Sequence, residues 1–166
     1  MPSGEAFVAM DRLLDEARMG PMYLRQPAIA EMVVEAFFFG AVTLGRYELH
    51  AFVVMPNHVH LLLTAGVRPA MVTKSLKGIT ARRANETLGR TGETFWQAES
   101  YDHVVRNDRE FGKIKNYIEA NPVRAGLVRC AEDYRWSSAC ATWRSLADLE
   151  VCPTKAFAVS RRSAGR

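Results

Sequence analysis

Two strand-length apolar runs split by Pro56-Asn57 constrain this 166-residue chain more than any other feature. Residues 47–55 are rich in β-branched and aromatic side chains, and residues 58–65 continue the apolar pattern. Proline followed by asparagine is turn chemistry, so the pair predicts a tight antiparallel hairpin. Val53-Val54-Met55 on one side and Leu61-Leu62-Leu63 on the other set this hairpin in the middle of a buried sheet.

Helical patterns surround it. Residues 11–18 predict a short helix stopped by Gly20-Pro21. Residues 27–39 predict a longer one, because Ile29, Met32, Val33, Ala36 and Phe37 form one stripe, with Pro27 suited to the first turn and Gly40 to the stop. A helix is expected over 69–88, a strand near 102–106, and a last helix over 108–120 with Asp108 as its cap and Pro122 ending it. The order is helix, helix, strand, strand, helix, strand, helix. It predicts an α+β sandwich with helices on one face of a small antiparallel sheet. The length fits one domain, assigned to residues 1–145, with a tail over 146–166 that is basic at its end and expected to be disordered. Ala36-Phe37-Phe38-Phe39 is an apolar run wide enough to suggest exposed surface.

Apolar residues make up 48% and charged residues 24%, which excludes disordered, collagenous and low-complexity classes. No stretch approaches the roughly 20 apolar residues of a membrane span, so no membrane partner is expected. No signal peptide is visible in Met1-Pro2-Ser3-Gly4-Glu5. Cys130, Cys140 and Cys152 are odd in number and match neither a zinc site nor a disulfide framework, so a reducing, cytoplasmic setting is expected. The net charge of +4 is unevenly spread: residues 68–129 hold twelve Lys/Arg against seven Asp/Glu. Lys74, Lys77, Arg82 and Arg83 on the predicted 69–88 helix supply much of that excess. They are read as a DNA-binding surface, against the alternative of an ordinary solvated face.

His58-Val59-His60 is the informative pair for chemistry. Residues two apart on a strand share a face, so both imidazoles project together and make half of a divalent-metal site. Buried histidines need partners, which favours a metal over idle side chains. Tyr117 and Asn121 stand four apart on one face of the last helix. Tyr117 is either a half-buried aromatic or a nucleophile. Asn121 is either a helix cap before Pro122 or an amide that completes a ligand set, and the two roles are compatible.

The string Leu49-His50-Ala51-Phe52-Val53-Val54-Met55-Pro56-Asn57-His58-Val59-His60-Leu61-Leu62-Leu63 resembles the metal-binding motif of the HUH single-tyrosine transposases. Phe95-Trp96-Gln97, Tyr101-Asp102-His103, Tyr117-Ile118-Glu119-Ala120-Asn121-Pro122-Val123-Arg124-Ala125-Gly126-Leu127-Val128 and Trp136-Ser137-Ser138-Ala139 resemble later signatures of one branch, the REP-associated tyrosine transposases. A histidine-triad hydrolase has a similar run, but its third position is Leu62 here.

The resemblance implies a ferredoxin-like HUH fold. It implies His58, His60 and Asn121 as ligands of Mg²⁺ or Mn²⁺, and Tyr117 as nucleophile. It implies cutting and rejoining of single-stranded, hairpin-forming DNA through a 5′-phosphotyrosine, by a monomer or a homodimer. Trp96, Phe95 and Tyr101 are candidates to stack on bases or to sit in the core, with the core favoured for at least two. The family fold begins with a strand beside the histidine strand, and Met1-Pro2-Ser3-Gly4 reads as loop. That first strand is therefore expected to be missing, which leaves a second reading: a catalytically degenerate relic that binds hairpins without cutting.

Overall fold

The computed structural model describes residues 20–98 and 102–143 and the backbone of Tyr101 and of residues 156–162. The expected helix over 11–18 and the question of a first strand fall outside the described residues.

The hairpin forms as expected. Strands β1 (Tyr47–Val54) and β2 (His58–Ala65) pair antiparallel, with Leu49 opposite Leu63 and Val53 opposite His60. The Met55 N–H donates to the His58 carbonyl at 2.8 Å, which leaves Pro56-Asn57 as the turn. The ladder shifts register between Leu49 and Ala51, so His50 sits in a bulge.

Among the described residues two more strands join the sheet, β3 (Tyr101–Val104) and β4 (Ala156–Arg162). The order is β1-β2-β4-β3, antiparallel throughout. Residues 156–162 are therefore not a disordered tail. They pair on both edges, with Ser160 opposite His60 on one side and Tyr101 on the other. The physical reason is backbone satisfaction: a strand between β2 and β3 uses hydrogen-bonding groups on both neighbours that would otherwise be left open. Ala156-Phe157-Ala158-Val159 has the composition for that place, and the basic end of the tail masks it in the sequence.

Helices cover both faces of the sheet rather than one. Helices α1 (Pro27–Phe38) and α2 (Pro69–Leu88) share a core with Phe52, Val54, Val59, Leu61 and Leu63. Helix α3 (Asp108–Arg124) packs Ile114, Tyr117 and Ile118 against Ala51, Val53, Met55 and Leu62 on the other face. Strand alternation produces this division: odd positions of β2 feed one core, and His58, His60 and Leu62 face the other.

The helix ends differ in detail from expectation. After α1 the chain continues into a π-helical turn, Phe39–Thr43. Gly40 does not stop the helix. It lets the turn approach Tyr47, since a Cβ there would fall 2.8 Å from ring carbons of that side chain. The Tyr47 hydroxyl donates to the Phe37 carbonyl at 2.7 Å, and burial pushes its pKa well above the usual range. In the apolar run Ala36 and Phe37 are buried, Phe38 stacks on Trp143 and Phe39 alone is exposed. Helix α3 is capped by Asn107, not Asp108: the Asn107 Oδ1 accepts from the Glu110 N–H at 2.9 Å. Pro122 lies inside the last turn instead of ending the helix. Its carbonyl still accepts from the Leu127 N–H at 2.9 Å.

The segment after α3 braces the outer edge of β1. The Val54 N–H donates to the Trp136 carbonyl at 2.8 Å and the Ser138 N–H to the Phe52 carbonyl at 3.0 Å. The Ser138 hydroxyl accepts from the Phe52 N–H and donates to Glu119 Oε1 at 3.0 Å, tying α3 to β1. The Tyr134 hydroxyl donates to the Val54 carbonyl at 2.8 Å, and burial pushes its pKa up to about 12.

Candidate active site

His58 and His60 are both fully buried on the α3 face of β2. Their Nε2 atoms approach to 3.0 Å and their rings meet edge to face. The His58 Nδ1 bonds the Asn57 Oδ1 at 2.6 Å. An amide oxygen only accepts, so Nδ1 carries the proton and a neutral His58 presents a lone pair at Nε2. Asn57 thus does more than make the turn that its position beside Pro56 announces.

Tyr117 faces this pair from α3. Its ring centre lies 6.1 Å from that of His60. The side chain is buried, with Arg124 placed over the ring at 4.6 Å. Asn121 follows one turn later and is completely buried. Among the described residues neither its Oδ1 nor its Nδ2 has a hydrogen-bond partner. Its side chain does not cap the helix; the cap position belongs to Ala125, whose N–H bonds the Asn121 backbone carbonyl. An unsatisfied buried amide costs about 1–3 kcal/mol, a cost that a bound ion or water would relieve.

The start of α3 is tied to β3 and to the chain just before the helix. Glu110 Oε1 bonds the Nε2 of His103 on β3 at 2.8 Å, and Glu110 Oε2 accepts from the Arg106 N–H at 2.7 Å. Burial alone would raise the Glu110 carboxyl, but these bonds outweigh it and hold the pKa below the usual value. His50 in the bulge bonds Thr64 Oγ1 at 2.8 Å and packs edge to face on Phe111. Burial pushes its pKa down, and Lys115 adds to the effect.

The histidine pair, Tyr117 and the Asn121 turn therefore occupy one side of the sheet. A divalent ion fits the donors present. Two imidazole nitrogens bound at ~2.1 Å and at right angles stand about 3.0 Å apart, which is the separation of the two Nε2 atoms. Among the described residues no further His, Cys, Asp or Glu groups with the pair. Asn121, one helical turn after Tyr117 and buried on the same helix, is the amide that the sequence adds to the pair as a candidate.

The four cations chosen from the sequence are elsewhere. Lys74, Lys77, Arg82 and Arg83 lie on α2, across the sheet from the histidines. Lys77 Nζ donates to the Gln97 carbonyl at 2.8 Å, and Arg83 reaches Glu35 at 3.6 Å. Lys74 and Arg82 are exposed. Phe95 and Trp96 are core residues at 1% and 6% exposure, and the Trp96 indole N–H donates to Thr80 Oγ1 at 2.9 Å. The residues that sequence reasoning missed at the site are Asn57 and Arg124. A turn residue adjoining a ligand, and a cation seven positions from the tyrosine on one helix face, were the signals available.

A four-stranded antiparallel sheet that presents paired histidines to a tyrosine-bearing helix defines an α+β scaffold of the transposase kind. A family profile described as Transposase IS200 like matches residues 28–121, from the first turn of α1 through Asn121. The chain belongs to this family. It is similar to a REP-associated tyrosine transposase of Escherichia coli, 26% identical over 92 residues, covering 55% of this chain and 54% of that protein. A Haemophilus influenzae protein named for the same REP-associated group is 28% identical over 104 residues, covering 55% and 58%. The ISDra2 transposase TnpA of Deinococcus radiodurans is 34% identical over 79 residues, covering 44% and 56%. The chain thus spans little more than half the length of the curated relatives it matches. No solved structure matches it. Among the described residues no helix is long and apolar enough to cross a membrane.

Proposed function

We propose that this chain cuts and rejoins single-stranded, hairpin-forming DNA, with Tyr117 as the nucleophile. The observation that carries the reading is the approach of the Tyr117 ring to His60, 6.1 Å between centres, where the Nε2 atoms of His58 and His60 converge.

In the first step the Tyr117 phenol oxygen bonds to phosphorus and the bond from phosphorus to the 3′ oxygen breaks. The phenol gives up its proton, and the 3′ oxygen takes one. The products are a 5′-phosphotyrosine and a free 3′-hydroxyl. Attack by a 3′-hydroxyl on the phosphotyrosine reverses the step, on the same strand or another, and no external energy source is consumed. A phenol with pKa ~10 is a weak nucleophile near neutral pH, so the phosphate must be made a better electrophile. His58, His60 and Asn121 would hold Mg²⁺ or Mn²⁺, which would supply that polarisation. Asn57 orients the His58 ring, and α3 fixes the tyrosine by burying it against Val53 and Leu62. The exposed cations Lys74 and Arg82, with Lys77 and Arg83, serve as a more distant contact for the DNA backbone. The setting proposed is the cytoplasm, with a monomer or homodimer as the acting species.

The test is an adduct assay. The protein is mixed with labelled hairpin oligonucleotides from repeats flanking its gene and with Mn²⁺, then denatured. A covalent protein–DNA band, absent in Tyr117→Phe and in chelator, is the expected result. A retained hairpin shift without the band would replace this reading with that of a binding relic. Calorimetric titration with Mn²⁺ on His60→Ala and Asn121→Ala tests the ligand set separately from activity.

A further inference from the structure

Three arginines sit over aromatic rings among the described residues. Arg90 covers Tyr23 and also pairs with Glu93; Arg135 covers Trp136 and also pairs with Glu31. Arg124 covers Tyr117, its guanidinium carbon 4.6 Å from the ring centre, and neither a hydrogen bond nor an ion pair engages it among the described residues. It lies seven positions after Tyr117 on α3, two turns along and about 20° round the axis. The tyrosine is buried and the arginine is exposed. The five N–H donors of a guanidinium stay available round its rim while the face rests on a ring. In the first two arginines a carboxylate takes some of those donors. In Arg124 they remain open to solvent beside the phenol.

We propose that Arg124 grips a non-bridging oxygen of the phosphodiester that Tyr117 attacks. The inference rests on the reading of Tyr117 as nucleophile and names a substrate contact for that same site. A phosphodiester suits the donors, since charge-assisted, bidentate bonding to phosphate oxygens is what the guanidinium fork provides. The residue exchanges no proton in the step. It neutralises charge on the phosphate as the phenol oxygen approaches, and its contact with the ring ties the two reacting groups together.

The experiment is single-turnover adduct formation with hairpin oligonucleotides from the repeats flanking the gene, in Mn²⁺, alongside hairpin affinity. Arg124→Ala is expected to slow the adduct step about 100-fold with hairpin affinity changed less than about threefold. Arg124→Lys recovers part of the loss. Guanidinium ion added to Arg124→Ala recovers part of it too, and sodium at equal ionic strength does not. Wild-type rates in Arg124→Ala overturn the proposal. So does a deficit that appears only as weaker hairpin binding, or one that neither lysine nor guanidinium ion relieves. An adduct formed by Tyr117→Phe, or none by the unaltered chain, instead overturns the nucleophile reading. The two failures are read on different variants.

Discussion

The Asn57 Oδ1 accepts the Nδ1 proton of His58 at 2.6 Å, and this fixes which nitrogen the ring turns toward His60. The bond acts on tautomer and ring angle together. Removing it in Asn57→Ala frees the ring to adopt the other tautomer, whose Nε2 carries a proton and cannot bind a cation. The expected cost is about 10- to 100-fold in Mn²⁺ affinity, the usual effect of losing such an outer partner. Calorimetric titration of metal into the variant reads it directly. Unchanged affinity with lowered thermal stability would assign Asn57 to the turn alone.

Strand β4 is a second test, because its central position makes a strong demand on the backbone. Ser160 lies in ladders on both sides, opposite His60 and Tyr101. Proline there removes an N–H and intrudes on a neighbour, which central strands do not tolerate. Ser160→Pro is expected to destabilise the fold by about 3 kcal/mol or more. Thermal denaturation followed by circular dichroism measures this. A melting temperature within a degree of the parent would contradict a paired β4.

Acid should weaken the fold through two groups with lowered pKa. His50 has its pKa depressed by burial and by Lys115, so the unfolded chain binds its proton first as pH falls. Its contribution is full above its unfolded pKa of ~6.5 and is lost as pH drops toward the folded value. Glu110 is also depressed, and its contribution is full above the ordinary carboxylate range and lost as pH falls through the folded pKa. Melting temperature should therefore decline in two stages below neutrality. His50→Gln should shrink the upper stage and leave the lower one, whereas Glu110→Gln should reduce only the lower. Identical profiles for His50→Gln and the parent would remove His50 from the account.

Much of the geometry of the candidate site was legible because its signals are local. The period-two spacing of His58 and His60 fixes their common face, and the four-residue spacing of Tyr117 and Asn121 fixes theirs. The hairpin needed only Pro56-Asn57 and two apolar runs. What escaped depends on pairings between distant segments. Nothing local in residues 156–162 announces that they lie between β2 and β3, because strand partners are chosen by open edges elsewhere in the fold. The division of helices between two faces escaped for the same reason. The stripes of α2 and α3 look alike in sequence, and only the sheet they meet distinguishes Val72 from Ile118. Asn121 was legible as a candidate ligand, but that its side-chain amide lacks a hydrogen-bond partner among the described residues is a property of packing.

The last prediction concerns the α2 cations, which the sheet separates from the histidines. Lys74 and Arg82 are exposed, and among the described residues no acidic side chain pairs with either. If hairpin DNA is long enough to pass round the domain, their charges contact phosphates far from the reacting bond. Such contacts act on binding and not on the chemical step. Lys74→Ala with Arg82→Ala is expected to weaken hairpin affinity, most at low salt. Each lost contact should reduce the slope of log affinity against log salt by about 0.7 to 0.9. The rate of adduct formation within the bound complex should stay at the parent value. Measuring affinity at several salt concentrations and the saturated adduct rate separates the two quantities. An unchanged salt slope would make α2 a solvated face, and a slowed saturated rate would mean that α2 reaches the reacting strand after all.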